Sequence, residues 1–181
     1  MPDGPSACPQ AITGFPPNAD TTARLLILGS MPGERSLDAA QYYAHPRNSF
    51  WPILARIVGF DPLAPYDVRL KALRDAGIAL WDVLQSCVRA GSLDAAIDSR
   101  SIQPNDFAGF FAAHPHIARV CFNGGTAERY FRTQVLPTLP ALPIRYLRLP
   151  STSPAHASLS FEQKLAGWQA AVGGIPATRS S

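Results

Sequence analysis

Residues 24–51 read RLLILGSMPGERSLDAAQYYAHPRNSFW, and the fold is decided by how that stretch begins. Leu25 to Leu28 are apolar without a break, the pattern of a strand covered on both faces, and Gly29-Ser30-Met31-Pro32-Gly33 turns it into a loop. A strand covered on both faces belongs to a parallel sheet with helices on either side. In such sheets the loops leaving the carboxyl ends of the strands line the ligand crevice, so the segment after Leu28 is placed for chemistry. The loop is expected to run to Asn48, where a helix starts.

Beyond that loop, Ser49 to Val58 reads as a helix with Phe50, Leu54, Ile57 and Val58 on one side, Pro52 in its first turn and Gly59 past its end. A second helix spans Asp67 to Ala76 and stops at Gly77. Ile78 to Val83 is strand two, and Leu84 to Arg100 a long excursion with a helical turn near residues 93–97. A helix starting at Pro104 or Asn105 sets Phe107, Phe110 and Phe111 on one face, and Arg119 to Phe122 is strand three. Asn123-Gly124-Gly125 turns into a helix, Ile144 to Leu149 is strand four, and Ser160 with Gln163 forms a capping box for a last helix ended by Gly173.

Strand and helix alternate, and right-handed crossovers then give an α/β fold: a three-layer α/β/α sandwich around a central four-stranded parallel sheet. The expected organisation is an irregular arm over residues 1–22, holding Pro2, Pro5, Pro9, Pro16 and Pro17, one α/β domain over 23–173, and a loose tail over 174–181.

At 181 residues and 46% hydrophobic content the chain suits one soluble domain. It has no apolar run long enough to span a bilayer and no basic-then-apolar leader, so no membrane partner and a cytoplasmic location are expected. Cys8, Cys87 and Cys121 form no C-x-x-C pair, which argues against a disulfide frame, a zinc site or an iron–sulfur cluster. The net charge of +3 is mild, but of the 16 cations all except Lys71 and Lys164 are Arg, the residue suited to bidentate phosphate contacts. Both lysines fall inside predicted helices, which weighs against Schiff-base chemistry.

The Gly29–Gly33 loop lacks G-x-G-x-x-G spacing and a G-K-[ST] ending, so no nucleotide cofactor is implied, and no G-x-S-x-G elbow marks a serine hydrolase. Three loops, 29–48, 123–126 and 150–157, converge on the carboxyl edge as candidates for one site.

The ordered set GSMPG, YYAHPRNSFW and LPSTSPAH resembles the uracil-DNA glycosylase superfamily, and most of all its hypoxanthine-DNA (deoxyinosine) glycosylase branch. Ala44, His45, Pro46, Asn48, Phe50 and Trp51 match the A-H-P-x-N-x-F-W core of the mismatch-specific uracil enzymes. That branch places a water-positioning asparagine third in G-x-N-P-G. Met31 stands there in this chain, which puts uracil specificity in doubt. The second motif departs as well, with Ser151-Thr152-Ser153-Pro154 where the uracil branch has N-P-S-G.

The resemblance implies a metal-free and cofactor-free monofunctional DNA glycosylase, acting as a monomer on damaged DNA, that flips a base out and hydrolyses its glycosidic bond. On this likeness Asn48, Ser30 and Met31 are the catalytic candidates, Ser30 working with the backbone amides of Met31 and Gly33. Gly29, Gly33, Tyr43, His45 and Ser151 would contact the base, with Tyr43 stacking on it. Asn123, Gly124, Ser153, Pro154, Ala155 and His156 would contact DNA. Several of these residues have a structural alternative: Asn48 can cap the following helix, Tyr43 can wedge into the core, and His45 can anchor a turn. A uracil or mismatch glycosylase, a non-catalytic binder of damaged DNA, and a nucleotide-handling enzyme unrelated to DNA remain open from the residues alone.

Overall fold

The computed structural model of the protein describes residues 10–174. Cys8, the outer part of the expected arm and residues 175–181 of the expected tail lie outside the described residues. β2 (Leu25–Gly29) is buried along its whole length, with a parallel neighbour on each edge, β3 (Ile78–Asp82) and β6 (Arg119–Asn123), and an apolar layer on each face. β7 (Arg145–Leu149) adds to β6, and the order β3-β2-β6-β7 is parallel throughout. The expected three-layer architecture with its four-stranded parallel sheet is therefore present.

Alternation along β2 feeds both layers. Leu25 and Ile27 face a core shared with α2 (Phe50–Val58), α3 (Tyr66–Asp75) and α6 (Phe161–Val172), where Phe50, Ile53, Leu54, Leu73 and Trp168 are fully buried. Leu26 and Leu28 face the other side, where α4 (Phe107–Ala113) and α5 (Gly125–Tyr130) contribute Phe107, Phe110, Ala127 and Tyr130. Since β3 lies on one side of β2 and β6 on the other, the chain reverses its direction of winding between β2 and β6. In an open α/β sheet a crevice forms at that point.

The helix ends follow local chemistry. α6 opens with the anticipated box: Ser160 Oγ accepts from Gln163 N at 3.2 Å, and Gln163 Oε1 accepts from Ser160 N at 2.9 Å. α4 starts later than the sequence suggested, because Asn105 spends its amide on the Asp82 carbonyl (2.8 Å) and Asp106 supplies the cap, accepting from Gly109 N at 2.9 Å. Past Tyr130, α5 opens into a wider π-type turn over Phe131–Val135.

Other stretches differ from the sequence reading as well. Ala11–Thr13, expected inside an irregular arm, form β1, and Leu84–Val88, expected in a loop, form β4. With β5 (Gln103–Pro104) they make a small antiparallel sheet in the order β1-β4-β5. Strands of two to five residues are too short for a periodicity to show, and their pairing comes from partners distant in sequence. The helical turn expected near residues 93–97 is a single 3₁₀ turn, Asp94–Ala96. The loop after β2 likewise holds a short helix, α1 (Glu34–Ala39), which buries only Ser36 and so has no apolar stripe to announce it.

The capping box gives a direct check. Ser160→Ala removes one bond of the pair and is expected to lower stability by about 1 kcal/mol. A urea denaturation midpoint equal to that of the parent protein would show that the box contributes nothing.

Candidate active site

Every residue singled out from the sequence lines one cleft of about 640 Å³ at the carboxyl edge of the sheet. Three loops meet there, and one buried residue ties them together. Thr152, fully buried, accepts from Asn123 Nδ2 through its hydroxyl (2.8 Å) and donates its backbone N–H to Asn123 Oδ1 (2.9 Å). Its carbonyl accepts from Ser49 N, at the head of α2, at 3.0 Å. The ends of β6 and β7 and the start of α2 are thus fixed to each other. Gly124 makes the junction possible: its φ of 91° suits glycine, and a Cβ there would sit 3.1 Å from that of Ser151.

Asn48 does part of what each reading assigned to it. Its Oδ1 accepts from Phe50 N at 2.9 Å, a turn that starts α2, while Ser49 occupies the cap position without a side-chain bond. The Nδ2 group and the second lone pair of Oδ1 have no protein partner among the described residues, and Asn48 lines the cleft. His45 anchors the same turn, its Nδ1 accepting from Arg47 N at 3.1 Å, so its neutral form carries the proton on Nε2.

Tyr43 combines a packed and a cleft-facing role. Its ring stacks on Phe50 with centroids 3.9 Å apart, and its backbone takes a φ of 54°, a left-handed conformation unusual for a bulky residue. Flanking bonds hold it there: Trp51 Nε1 donates to the Tyr42 carbonyl (2.9 Å), Tyr66 Oη accepts from Tyr42 N (2.9 Å), and Ser36 Oγ accepts from Ala44 N (3.1 Å). The Tyr43 hydroxyl is buried close to Asp82 and Asn123 and makes no hydrogen bond of good geometry, although the Asn123 side chain is near enough to favour its charged form slightly. Burial, reinforced by the Asp82 charge, raises its pKa, so it stays protonated.

The excursion after β4 straps the first loop. Ser30 Oγ donates to Asp94 Oδ1 (2.7 Å), Ser92 Oγ accepts from Glu34 N (2.9 Å), and buried Arg89 donates from Nη2 to the Pro32 carbonyl (2.6 Å) and from Nε to that of Gly91 (2.7 Å). The Ser30 proton is therefore committed to Asp94. The Met31 side chain joins the apolar core, its sulfur turned toward Gly14, so only its backbone can serve the cleft.

On the β7 side, Ser151 and Ser153 accept from the backbone N–H groups of Ser153 and Ala155, each at 3.2 Å, stiffening the turn that carries Pro154. Buried Lys164 reaches the Ser153 carbonyl at 3.5 Å from beneath and does not line the cleft. Asn123 lines the cleft and also acts as a clamp, with one bond from each end of its amide going to Thr152.

Asp82, like Asp94 and Thr152, is a cleft residue that the sequence reading did not single out. It ends β3, is only 3% exposed, and its Oδ2 has no hydrogen-bond partner. Burial first, then the neighbouring Asp94 charge, pushes its pKa up to about 7, against the opposing pull of Arg89. Burial also raises the pKa of Asp94, which the Ser30 bond and Arg89 partly counter. The available signal was an acid directly after the apolar run Ile78–Trp81, at the strand end that feeds the crevice. No group of three or more His, Cys, Asp or Glu among the described residues is arranged to hold a metal ion.

Both buried groups can be probed by substitution. Thr152→Val keeps the shape but leaves the half-buried Asn123 Nδ2 without its hydroxyl acceptor, and should cost about 1 kcal/mol in urea unfolding. For Asp82, the folded state holds its proton more tightly than the unfolded chain does, so stability declines as pH rises from about 4 to about 7. Asp82→Asn should therefore raise the melting temperature at pH 8 and leave it nearly unchanged near pH 4. An equal shift at both values contradicts this.

Comparison with known proteins places this geometry. A family model described as the uracil DNA glycosylase superfamily matches residues 16–171. A protein of Methanosarcina barkeri named hypoxanthine DNA glycosylase is 37% identical, over 86% of this chain and 94% of its own. One of the same name from Methanosarcina acetivorans is also 37% identical, over 69% of this chain and 84% of its own. A solution NMR structure from Methanosarcina acetivorans, described as a candidate uracil DNA glycosylase, superposes with a TM-score of 0.75 at 34% identity. That match covers 90% of this chain and 97% of the other.

Proposed function

Because the chain belongs to the uracil DNA glycosylase superfamily, we propose that it hydrolyses the N-glycosidic bond of deoxyinosine everted from DNA, releasing hypoxanthine and leaving an abasic site. The observation that carries this reading is the convergence on one cleft of Tyr43, an Asn48 amide with unused bonding capacity, and the loop after β7. The names of the two Methanosarcina relatives support hypoxanthine as the base.

Phe50 covers one face of the Tyr43 ring, and the opposite face is the one on which an everted base stacks. Asn48 holds the attacking water or a base edge with the groups that the α2 turn leaves free. The backbone N–H groups of the strapped first loop face a base carbonyl, as preorganised donors that need no reorientation during reaction. Hydrolysis through a sugar with oxocarbenium character needs only this positioning and a water molecule. The Met31 side chain, turned into the core, contributes no amide at the place where uracil-directed relatives keep one, which favours a base other than uracil.

Single-lesion duplexes carrying deoxyinosine, deoxyuridine, deoxyxanthosine or ethenoadenine, developed with alkali, test the assignment. Strand cleavage is expected at deoxyinosine, and cleavage at deoxyuridine with none at deoxyinosine reassigns the enzyme to uracil. Asn48→Ala should slow single-turnover excision by about 10² to 10³. Asn48→Ser and Asn48→Asp, which can still accept from Phe50 N, should fold normally and also lose activity; near-parental rates in both return Asn48 to a capping role.

A further inference from the structure

Base stacking and water positioning assign no work to Asp82, yet its placement is costly. Gly29 and Asp82 are partners across the β2–β3 pair, and a Cβ on Gly29 would lie 2.4 Å from Asp82 Oδ1. Glycine is what allows a carboxyl group to stand beside the first loop, on the floor of the cleft. A buried acid with a purely structural task is normally hydrogen-bonded or paired with a cation. Asp82 Oδ2 has neither, and Asn105, the polar side chain bonded to this residue, takes its backbone carbonyl instead.

We propose that Asp82 is the proton donor to the departing purine, its neutral carboxyl delivering a proton to a ring nitrogen of the base as the N9–C1′ bond breaks. This assignment rests on the deoxyinosine reading and deepens it. A purine leaves poorly as an anion, and protonating a ring nitrogen lets it leave neutral, whereas C1′ acquires its new oxygen from water. The electron pair of the N9–C1′ bond departs with the base, and the Asp82 proton neutralises it. The water oxygen bonds C1′, and the proton it sheds restores the carboxyl. One C–N bond is exchanged for one C–O bond, one water is consumed, and no oxidant, reductant or metal enters.

The surroundings favour the neutral acid. Asp94 faces it with like charge from the 3₁₀ turn after β4, and Tyr42, Tyr43 and Tyr66 are the other titratable neighbours, all with raised pKa values and hence uncharged. The one cation acting on it, Arg89, directs two of its nitrogens to the Gly91 and Pro32 carbonyls and forms no ion pair with it. A carboxyl with a pKa of about 7 keeps about half of its acid form near neutrality and most of it a unit lower, which is the range where a general acid is effective.

The test is single-turnover excision from a deoxyinosine duplex between about pH 5.5 and 9, since loss of the acid form should lower the rate about tenfold per unit above its pKa. Asp82→Asn should cut the rate at pH 6 by about 10² to 10³ and flatten the profile. Its affinity for a duplex carrying the uncleavable 2′-fluoro analogue should be unchanged. Asp94→Asn, which removes the like charge, should move the falling limb to lower pH by roughly one unit. A flat parental profile, a limb unmoved in Asp94→Asn, or an Asp82→Asn variant that keeps either the parental rate or the limb overturns the assignment. The parental profile and the Asp94 variant decide even if Asp82→Asn fails to fold. A parental enzyme inert on deoxyinosine but active on deoxyuridine overturns the substrate reading as well, which separates the two failures.

Discussion

The site depends on a buried hydrogen-bonded knot centred on Thr152. Three loops leaving one edge of a parallel sheet have no intrinsic reason to hold a fixed distance, because loops carry few apolar contacts of their own. Here the two-way bonding between Asn123 and Thr152, together with the bond from Ser49 N to the Thr152 carbonyl, turns three flexible exits into one rigid wall. Inside a protein such bonds are strengthened by the low dielectric, and an unsatisfied member is correspondingly expensive. The knot therefore fixes the geometry of the cleft more tightly than its number of bonds suggests.

The small antiparallel sheet does comparable work from the other side. β1 and β5 flank β4, and the chain leaving β4 supplies Arg89, Ser92 and Asp94, each bonded to the loop after β2. That loop begins at Gly29, where it passes close to Asp82, so the strap also fixes the backbone that stands beside this buried acid. Aromatic packing closes the third side: Tyr43 rests on Phe50, and Phe50 meets Trp168 edge-on, linking the cleft wall to the fully buried centre of α6.

The parts of this arrangement that were legible in the sequence share a cause. The parallel strands are buried on both faces and so appear as uninterrupted apolar runs, and the glycines and prolines after them mark the loops. The capping box of α6 is equally local. β1, β4 and β5 were illegible because their pairing partners lie far apart in the chain and each strand is too short for a period. Asp82, Asp94 and Thr152 were missed for a related reason: a residue's burial is decided by the segments that fold over it. Asn123 was recognised as part of the cleft, but its bonding to Thr152 could not be read because the two lie 29 residues apart.

The same contrast separates position from chemistry in the first loop. Ser30 has its proton tied to Asp94 and Met31 has its side chain in the core, so neither side chain of the Gly29–Gly33 turn is free toward the cleft. Side chains with unused bonding capacity stand beside it, Asn48 at the head of α2 and Asp82 beneath Gly29. A turn held by bonds from Arg89, Ser92 and Asp94 keeps its backbone path whatever side chain stands at Met31, because that side chain packs into the core rather than into the strap. Chemistry at such an edge can then change through the side chains beside the turn without a change of fold.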